Sequence, residues 1–297
     1  MTSVCRRPYA GGRTAIGDSG TGMGNDEHSS DDPVAAPGTN IARVYNALLG
    51  GKDNFESDRV VADRLIDVAP HFQALSWDNR QFLIRASRFL AGQAGIDQFL
   101  DFGPCLPVGE NSHEVVLRLN SNASVVYVGM DQLVLAHARA LVEDNDRTHV
   151  VNLDWRTPEN VTNDPVLRKY VNFTEPMAWC HVGTLMHVSD DYDPWGIMRC
   201  FIDAAAPGSY FAFAHLLDPG PGHELADLAA RVQEVYLDSP MASGWFRPLN
   251  RITDMLTGLE LVEPGLVPLA DWWPDGPRLR PLAPIQRLLI GCVARKP

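Results

Sequence analysis

The apolar residues between positions 41 and 91 recur at the spacing of α-helices. The first helix is marked by Ile41, Val44, Tyr45, Leu48 and Leu49, which share one helical face. The pair Gly50-Gly51 that follows is typical of a helix end. The same periodicity predicts helices over residues 57–68 and 77–91. Three helices before the first strand predict a helical cap, or lid, over residues 39–95.

Beyond residue 98, short apolar and β-branched runs alternate with helical patterns. Strands are predicted at 99–102, 124–128, 149–153, 177–182 and 209–215, with the last strands drawn from 259–267 and 286–294. Helices are predicted between them at 114–119, 133–142, 195–205, 226–237 and 252–256. This alternation predicts an α/β fold, with a mostly parallel sheet and helices on both of its faces.

Residues 1–38 differ from the rest of the chain in composition. They are rich in Gly, Ser, Asp and Thr and contain almost no large apolar residues. Such a segment cannot bury enough surface to offset the entropy of ordering, so we predict a disordered N-terminal tail. Residues 39–297 are then predicted to form a single domain that includes the cap.

Charge and cysteine content narrow the class of protein. The net charge is −12, with 37 acidic and 25 basic side chains, which disfavours nucleic acid as a partner. No run of about 18 apolar residues suggests a membrane span. The five cysteines are scattered and form no CxxC pair, which is typical of reduced thiols in a cytoplasmic protein. The histidines show no metal-ligand spacing, so we expect no metal site.

The ends of the first three predicted strands supply candidate ligand contacts, because open α/β sheets bind ligands at the carboxyl ends of their strands. These residues are Asp101, Gly103, Met130, Asp131, Asp154 and Trp155. Asp101 could accept hydrogen bonds from a ligand ammonium group, and Gly103 would let the backbone approach a ligand closely. An ordinary turn after a strand accounts for the same two residues.

The candidates after the second and third strands also have two interpretations each. The Asp131 carboxylate could bind the two hydroxyls of a ribose, or it could cap the helix that starts near Leu133. Asp154 could accept a hydrogen bond from the exocyclic amine of adenine, and Trp155 offers a flat apolar face to a purine. A surface loop with a half-buried tryptophan is the alternative.

Two histidines and one loop complete the candidate site. His187 and His215 lie near the ends of the fourth and fifth strands, where either could act as a general base or serve as a hydrogen-bonded structural residue. The segment 49–55, LGGKDNF, is too polar for a core, and a helix end explains only one of its glycines. We predict that it covers the ligand pocket. The candidate substrate contacts in the cap are Tyr45, Lys52, Asp53 and Asn54.

Several of these segments together resemble an S-adenosyl methyltransferase family once catalogued as a domain of unknown function, a branch of the class I methyltransferases. The resemblance rests on residues 42–59, 78–91, 98–107, 111–115, 125–141, 207–210 and 258–268. It implies a Rossmann-like seven-stranded sheet with S-adenosylmethionine (SAM) across the strand ends. Asp101 and Gly103 would then lie near the methionine part, residues 129–131 near the ribose, and Asp154 with Trp155 near the adenine.

Two departures from the family pattern fall on the implied cofactor site. Cys105 replaces the second glycine of the first turn, next to Pro104, and Gly129 stands where the family usually has an acid. The resemblance implies a SAM-dependent methyltransferase that transfers a methyl group to a small molecule by SN2 displacement. The departures keep an alternative open: a repurposed fold that catalyses cyclisation, isomerisation or hydrolysis, or a binding protein without catalysis. We also expect that two copies of the protein form a homodimer.

Overall fold

The structure, a computed structural model, describes residues 38–103, 106, 108–142 and 145–297. Its strands are β1 (Gln98–Phe102), β2 (Ser124–Gly129), β3 (Thr148–Asn152), β4 (Ala178–Val182), β5 (Tyr210–Asp218), β6 (Arg247–Pro248), β7 (Glu260–Leu261), β8 (Val267–Pro268) and β9 (Leu289–Arg295). Its α-helices are α1 (Ile41–Leu48), α2 (Glu56–Val68), α3 (Phe72–Gly92), α4 (Ser112–Leu119), α5 (Gln132–Val142), α6 (Pro158–Asn163), α7 (Pro194–Ala204), α8 (Ala226–Asp238) and α9 (Leu249–Asp254). Apart from Gly38, the predicted tail lies outside the described residues.

The central sheet has the order β3-β2-β1-β4-β5-β9-β7. Strands β1 to β5 pair in parallel, whereas β9 runs antiparallel to both β5 and β7. The two-residue strands β6 and β8 pair with β5 and β9. This arrangement confirms the predicted α/β fold with a mostly parallel sheet. Residues 39–297 form one unit by their internal contacts.

Two boundaries differ from the sequence prediction. Helix α3 begins at Phe72, ahead of the predicted residue 77, because Phe72 and Leu75 are buried and extend its apolar face. The strand predicted over 259–267 is wrong in extent. Only the pairs Glu260–Leu261 and Val267–Pro268 join β9, and a turn separates them.

One face of the sheet is packed with aromatic rings. Trp179 of β4 stacks on Phe211 of β5 with 5.8 Å between the ring centroids and lies 6.1 Å from Phe102 of β1. Phe201 of α7 closes this cluster at 5.4 Å from Trp179. Helices α6, α7 and α9 cover this face, which we call the aromatic face.

The opposite face, which we call the cap face, carries small side chains on the same two strands. They are Ala178 and Cys180 of β4 and Ala212 and Ala214 of β5. Because successive side chains of a strand point to opposite faces, these residues alternate with the aromatic ones. Their small size lets α3 pack closely on β4 and β5. The predicted cap helices α1 to α3 thus join α8 on this face.

Candidate functional site

A cavity of about 260 Å³ lies on the cap face, at the carboxyl ends of β1, β2 and β4. Helices α1 and α3 cover it, and the first residues of α4 and one side of α5 complete its wall. Parallel α/β sheets bind ligands at this position. The sequence candidates that follow β1, β2 and β4 therefore meet at one cavity.

Asp101, in β1, presents a carboxylate to this cavity. The Ser112 hydroxyl donates a 2.7 Å hydrogen bond to Oδ2, while Oδ1 has no partner among the described residues. Burial raises the pKa of Asp101 to about 6, against the opposing effects of the Ser112 bond and the nearby charge of Arg80. At neutral pH the group is a carboxylate with one oxygen open to a ligand donor.

A chain of hydrogen bonds supports Asp101 from behind. Tyr127 lies opposite Asp101 in the register of β1 and β2, and its hydroxyl is 3.0 Å from Ser112 Oγ. The same phenol is 2.8 Å from His113 Nδ1. Because Ser112 donates to the carboxylate, its oxygen accepts from Tyr127, which in turn accepts from His113. Every proton in the chain points toward Asp101 and stabilises its charge.

Gly103 follows β1 and also lines the cavity. Its φ is +70°, and an added Cβ would lie 2.7 Å from Thr184 Cγ2. A side chain at this position would therefore be strained and would collide with the loop after β4. Pro104 and Cys105, the predicted departures of this turn, lie outside the described residues.

Asp131 holds two helices together at the end of β2. Its Oδ1 accepts from the Val134 backbone N–H at 2.9 Å, which caps α5. Its Oδ2 accepts from Asn40 Nδ2 at 2.7 Å, and Asn40 itself caps α1. Asp131 and its neighbour Met130 both line the cavity. The capping role is thus present in the structure, and the ribose contact stays a prediction.

Of the two candidates that follow β3, one lines the cavity and the other does not. Trp155 lines the cavity and is buried, with its ring centroid 6.3 Å from that of Phe102. Asp154 does not line it. Its carboxylate accepts from Arg156 Nε at 2.9 Å and Nη2 at 2.8 Å, and this pairing lowers the pKa of Asp154. A ligand amine would have to compete with this arginine.

Of the candidates in the cap, only Tyr45 reaches the cavity. Its hydroxyl donates to the Ser76 carbonyl at 2.9 Å and accepts from Asn79 Nδ2 at 3.1 Å. Lys52 and Asp53 are exposed in the turn after α1 and do not line it. The cavity is covered by α1 itself rather than by this turn.

Asn54 has a structural contact instead. Its Nδ2 donates to Asn46 Oδ1 at 2.8 Å and to the Gly51 carbonyl at 3.0 Å. Asn46 is fully buried, and an added Cβ at Gly51 would lie 2.4 Å from its amide. The second glycine of the segment LGGKDNF therefore allows close packing of this turn on α1.

His187 lies at the end of a short 3-10 helix after β4 and lines the cavity. Its Nδ1 is 3.1 Å from Ser243 Oγ, and its Nε2 has no partner in the part of the chain that the structure describes. Burial lowers the pKa of His187 to about 4. The ring is therefore neutral at pH 7.

His215 is fully buried and does not line the cavity. Its Nδ1 donates to the Leu216 carbonyl at 2.8 Å, and its Nε2 accepts from Arg247 Nη1 at 2.8 Å. Burial and, less strongly, the arginine lower the pKa of His215 to about 3. With both nitrogens engaged, this ring anchors Arg247, which also donates to the Leu185 and Val188 carbonyls. The loop that carries His187 is held in this way.

Sequence reasoning missed four residues that shape the site: Asn40, Arg80, Ser112 and Ser243. Ser112 carried a signal, since it begins the first helix after β1 and follows Asn111, which stands three residues before Glu114, as in the sequence signature of a capped helix start. In the structure Glu114 Oε2 accepts from the Asn111 N–H at 2.6 Å. Ser243 carried no such sequence signal, because it lies far from His187 in the sequence and only the fold brings the two side chains together.

The described ranges contain no group of three or more His, Cys, Asp or Glu side chains placed to hold a metal ion. They also contain no helix long and apolar enough to cross a membrane.

Comparisons with known proteins agree with this geometry. A candidate methyltransferase from Thermobifida fusca YX is 40% identical, has a TM-score of 0.81, and aligns over 87% of this chain and 95% of its own. A DUF574 family protein from Streptomyces avermitilis is 31% identical, also with a TM-score of 0.81, over 88% of this chain and 98% of its own. No curated protein matches the chain.

The S-adenosyl methyltransferase family matches residues 27–297. This confirms the resemblance, the Rossmann-like fold and the expected cofactor. The chain belongs to the S-adenosyl methyltransferase family, which makes it a SAM-dependent enzyme by membership.

Proposed function

We propose that this protein transfers the methyl group of SAM to a small molecule bound in the cavity on the cap face. The observation that carries the proposal is the open Oδ1 of Asp101, the charged end of a buried hydrogen-bond chain. It lies in a cavity of about 260 Å³, close to the size of small-molecule sites. Family membership favours methyl transfer over the alternative of a repurposed fold.

The lining residues fit the parts of SAM to different degrees. Asp101 is suited to its ammonium group, Gly103 to close backbone approach, and Trp155 to its adenine ring. The ribose has the weakest match, because Gly129 offers no carboxylate and both Asp131 oxygens are already bonded. A ribose contact would share Asp131 with Asn40 or displace it.

His187 is the proposed general base, since its Nε2 is open to the cavity and its ring is neutral at pH 7. When bound, SAM supplies a methyl group on a sulfonium centre. The acceptor would form its new bond to the methyl carbon by SN2 displacement, and the electron pair of the broken C–S bond would stay on sulfur. His187 takes the acceptor proton at Nε2. Both nitrogens of His215 are engaged, so it has the supporting role of anchoring Arg247.

Titration calorimetry with S-adenosylhomocysteine (SAH), the demethylated product, tests the cofactor part. We expect Asp101→Asn to weaken SAH binding about 10- to 100-fold, because a charge-assisted hydrogen bond to the ligand ammonium is lost. Asp154→Asn is the matched control, since this aspartate follows β3, two strands away from β1, and does not line the cavity. We expect little change. Absence of SAH binding to the wild-type protein at millimolar ligand would refute the proposal.

The acceptor part is tested by turnover. Incubation with SAM and candidate small molecules, followed by mass spectrometry for a product heavier by one methylene, should identify an acceptor. His187→Gln should lower kcat with little change in SAH affinity, because it removes the base and leaves the cofactor contacts intact.

A further inference from the structure

The cavity has two halves with different chemistry. The charged side chains that line it, Arg80, Asp101 and Asp131, come from the strand ends and the part of α3 that faces them. The other half is lined by uncharged residues of α1, α3, α8 and the loops near them: Leu48, Phe72, Leu75, Met186, Tyr236 and Met241. We call this second half the apolar compartment.

The apolar compartment is part of the packed core. Phe72 and Tyr236 meet edge to face with 6.2 Å between their ring centroids. Most of its residues are buried within the large cluster of the cap face. It therefore has a defined shape before any ligand binds.

His187 is the histidine of this compartment among the described residues. Its ring lies 5.8 Å from that of Tyr236, in an edge-to-face contact. Ser243, which is buried, holds Nδ1 at 3.1 Å through its Oγ, and Nε2 is left without a partner among the described residues. A mainly apolar space thus contains one ring nitrogen in a fixed position, together with the hydroxyl of Tyr236.

A charged ligand group would be poorly accommodated here. Moving an ion out of water is costly unless an opposite charge pairs with it, and no lining residue of the compartment supplies one. Apolar surface is favoured in such a space. A single O–H or N–H group can be satisfied by the open nitrogen of His187.

We infer that the apolar compartment binds an uncharged, mainly apolar methyl acceptor whose hydroxyl or amine N–H is hydrogen-bonded to His187 Nε2, and that Ser243 positions the ring for this contact. The inference rests on the proposed function and deepens it by naming the class of acceptor. Ser243 is a positioning residue: its oxygen accepts from the Nδ1–H of His187, which leaves the lone pair of the ring on Nε2.

Three matched probes test the class of acceptor: 2-naphthol, 2-methoxynaphthalene and 2-naphthoate. Their binding is measured by calorimetry on the protein, both free and saturated with SAH. We expect 2-naphthol to bind about tenfold more tightly than 2-methoxynaphthalene, which lacks the donor. The anionic 2-naphthoate should bind more weakly still. In His187→Leu the preference for 2-naphthol over its methyl ether should disappear.

Several results would overturn the inference. They are binding of 2-naphthoate as tight as that of 2-naphthol, a preference for 2-naphthol that survives in His187→Leu, and no binding of any of the three probes. Failure of the proposed function is distinguishable, because SAH binding is measured separately and the probes are also titrated into the free protein.

The role of Ser243 is tested by ¹⁵N NMR of the histidine rings, which separates the two neutral tautomers. We expect His187 to carry its proton on Nδ1 in the wild-type protein. Ser243→Ala should populate the other tautomer and weaken 2-naphthol binding, and Ser243→Thr, which keeps the hydroxyl, should restore both. Ser239→Ala is the control, since Ser239 is also buried in this segment but bonds the Tyr236 carbonyl at 2.7 Å. A proton on Nε2 in the wild-type protein would overturn the assignment.

Discussion

The two faces of the sheet divide stability from binding. On the aromatic face, Trp179 and its neighbours stack against each other under α6, α7 and α9. On the cap face, the same strands carry small side chains, the helices come close, and a cavity remains beside Asp101. Because the side chains of a strand point alternately to the two faces, the same strand supports the aromatic packing on one face and the cap helices on the other. Changes on the aromatic face should act on the free energy of unfolding alone, whereas changes at the cavity on the cap face should act on ligand affinity as well.

The largest expected effect is on the aromatic face. Trp179→Ala should lower the free energy of unfolding by about 3–5 kcal/mol, because it removes a fully buried ring that touches several others. Urea denaturation measures this. Cys180→Ala, the next residue on the opposite face, is the control and should cost only about 1 kcal/mol. Equal costs for the two variants would contradict the division between the faces.

A second test uses the pH dependence of stability at Asp101. Burial raises the pKa of this carboxyl to about 6 in the folded protein, above the ordinary aspartate value of 3.8. Protonation of Asp101 therefore stabilises the folded protein fully below pH 3.8, and this stabilisation is lost as the pH rises through 6. Relative to Asp101→Asn, the wild-type protein should gain up to about 3 kcal/mol between pH 7 and pH 4.

Denaturation of both proteins at a series of pH values measures that gap. His187 and His215, whose pKa values are lowered by burial and which have no hydrogen bond to the chain of Asp101, act equally in both proteins and cancel from the difference. Asp154→Asn is a control of opposite sign, because Arg156 lowers the pKa of Asp154. A gap at Asp101 that stays constant with pH would count against a buried, ligand-facing carboxylate.

The smallest expected effect concerns the bridge between Asn40 and Asp131. Asn40→Ser keeps an oxygen that can cap α1 but loses the donor to Asp131. We expect a change of about 1 kcal/mol or less in global stability, with faster hydrogen exchange of the amides of α1. Asn40→Ala, which also loses the cap, should accelerate exchange further. Unchanged exchange in both variants would show that the bridge does not hold α1.

The sequence predicts the centre of this fold better than its edge. Strands β1, β2, β4 and β5 are buried on both faces over most of their length, so each appears as a short apolar run between turns. Strands β7 and β8 are only two residues long each, and no periodicity can register at that length. The start of α3 was missed because Phe72 and Leu75 become buried only through the packing of other helices against them.

The candidate site likewise contains residues that the sequence could identify and residues that it could not. Residues that directly follow strands, such as Asp101 and Trp155, could be found because the topology places strand ends together. The contact of Ser243 with His187 joins positions 56 residues apart, and it depends on loop geometry. His215 was a reasonable candidate by position. Its two bonded nitrogens, however, are a property of the fold.

The small side chains under the cap also limit how this protein can change its ligand. Only glycine is smaller than alanine, and it would loosen the strand backbone, whereas a larger residue at Ala178, Ala212 or Ala214 would push α3 away from the sheet. These three positions set the distance of the cap from the sheet without lining the cavity themselves. New acceptor preferences are therefore expected from exchanges at the lining residues of α1, α3 and α8, which leave that distance unchanged. Diversity of substrate among relatives should be sought first in these helices.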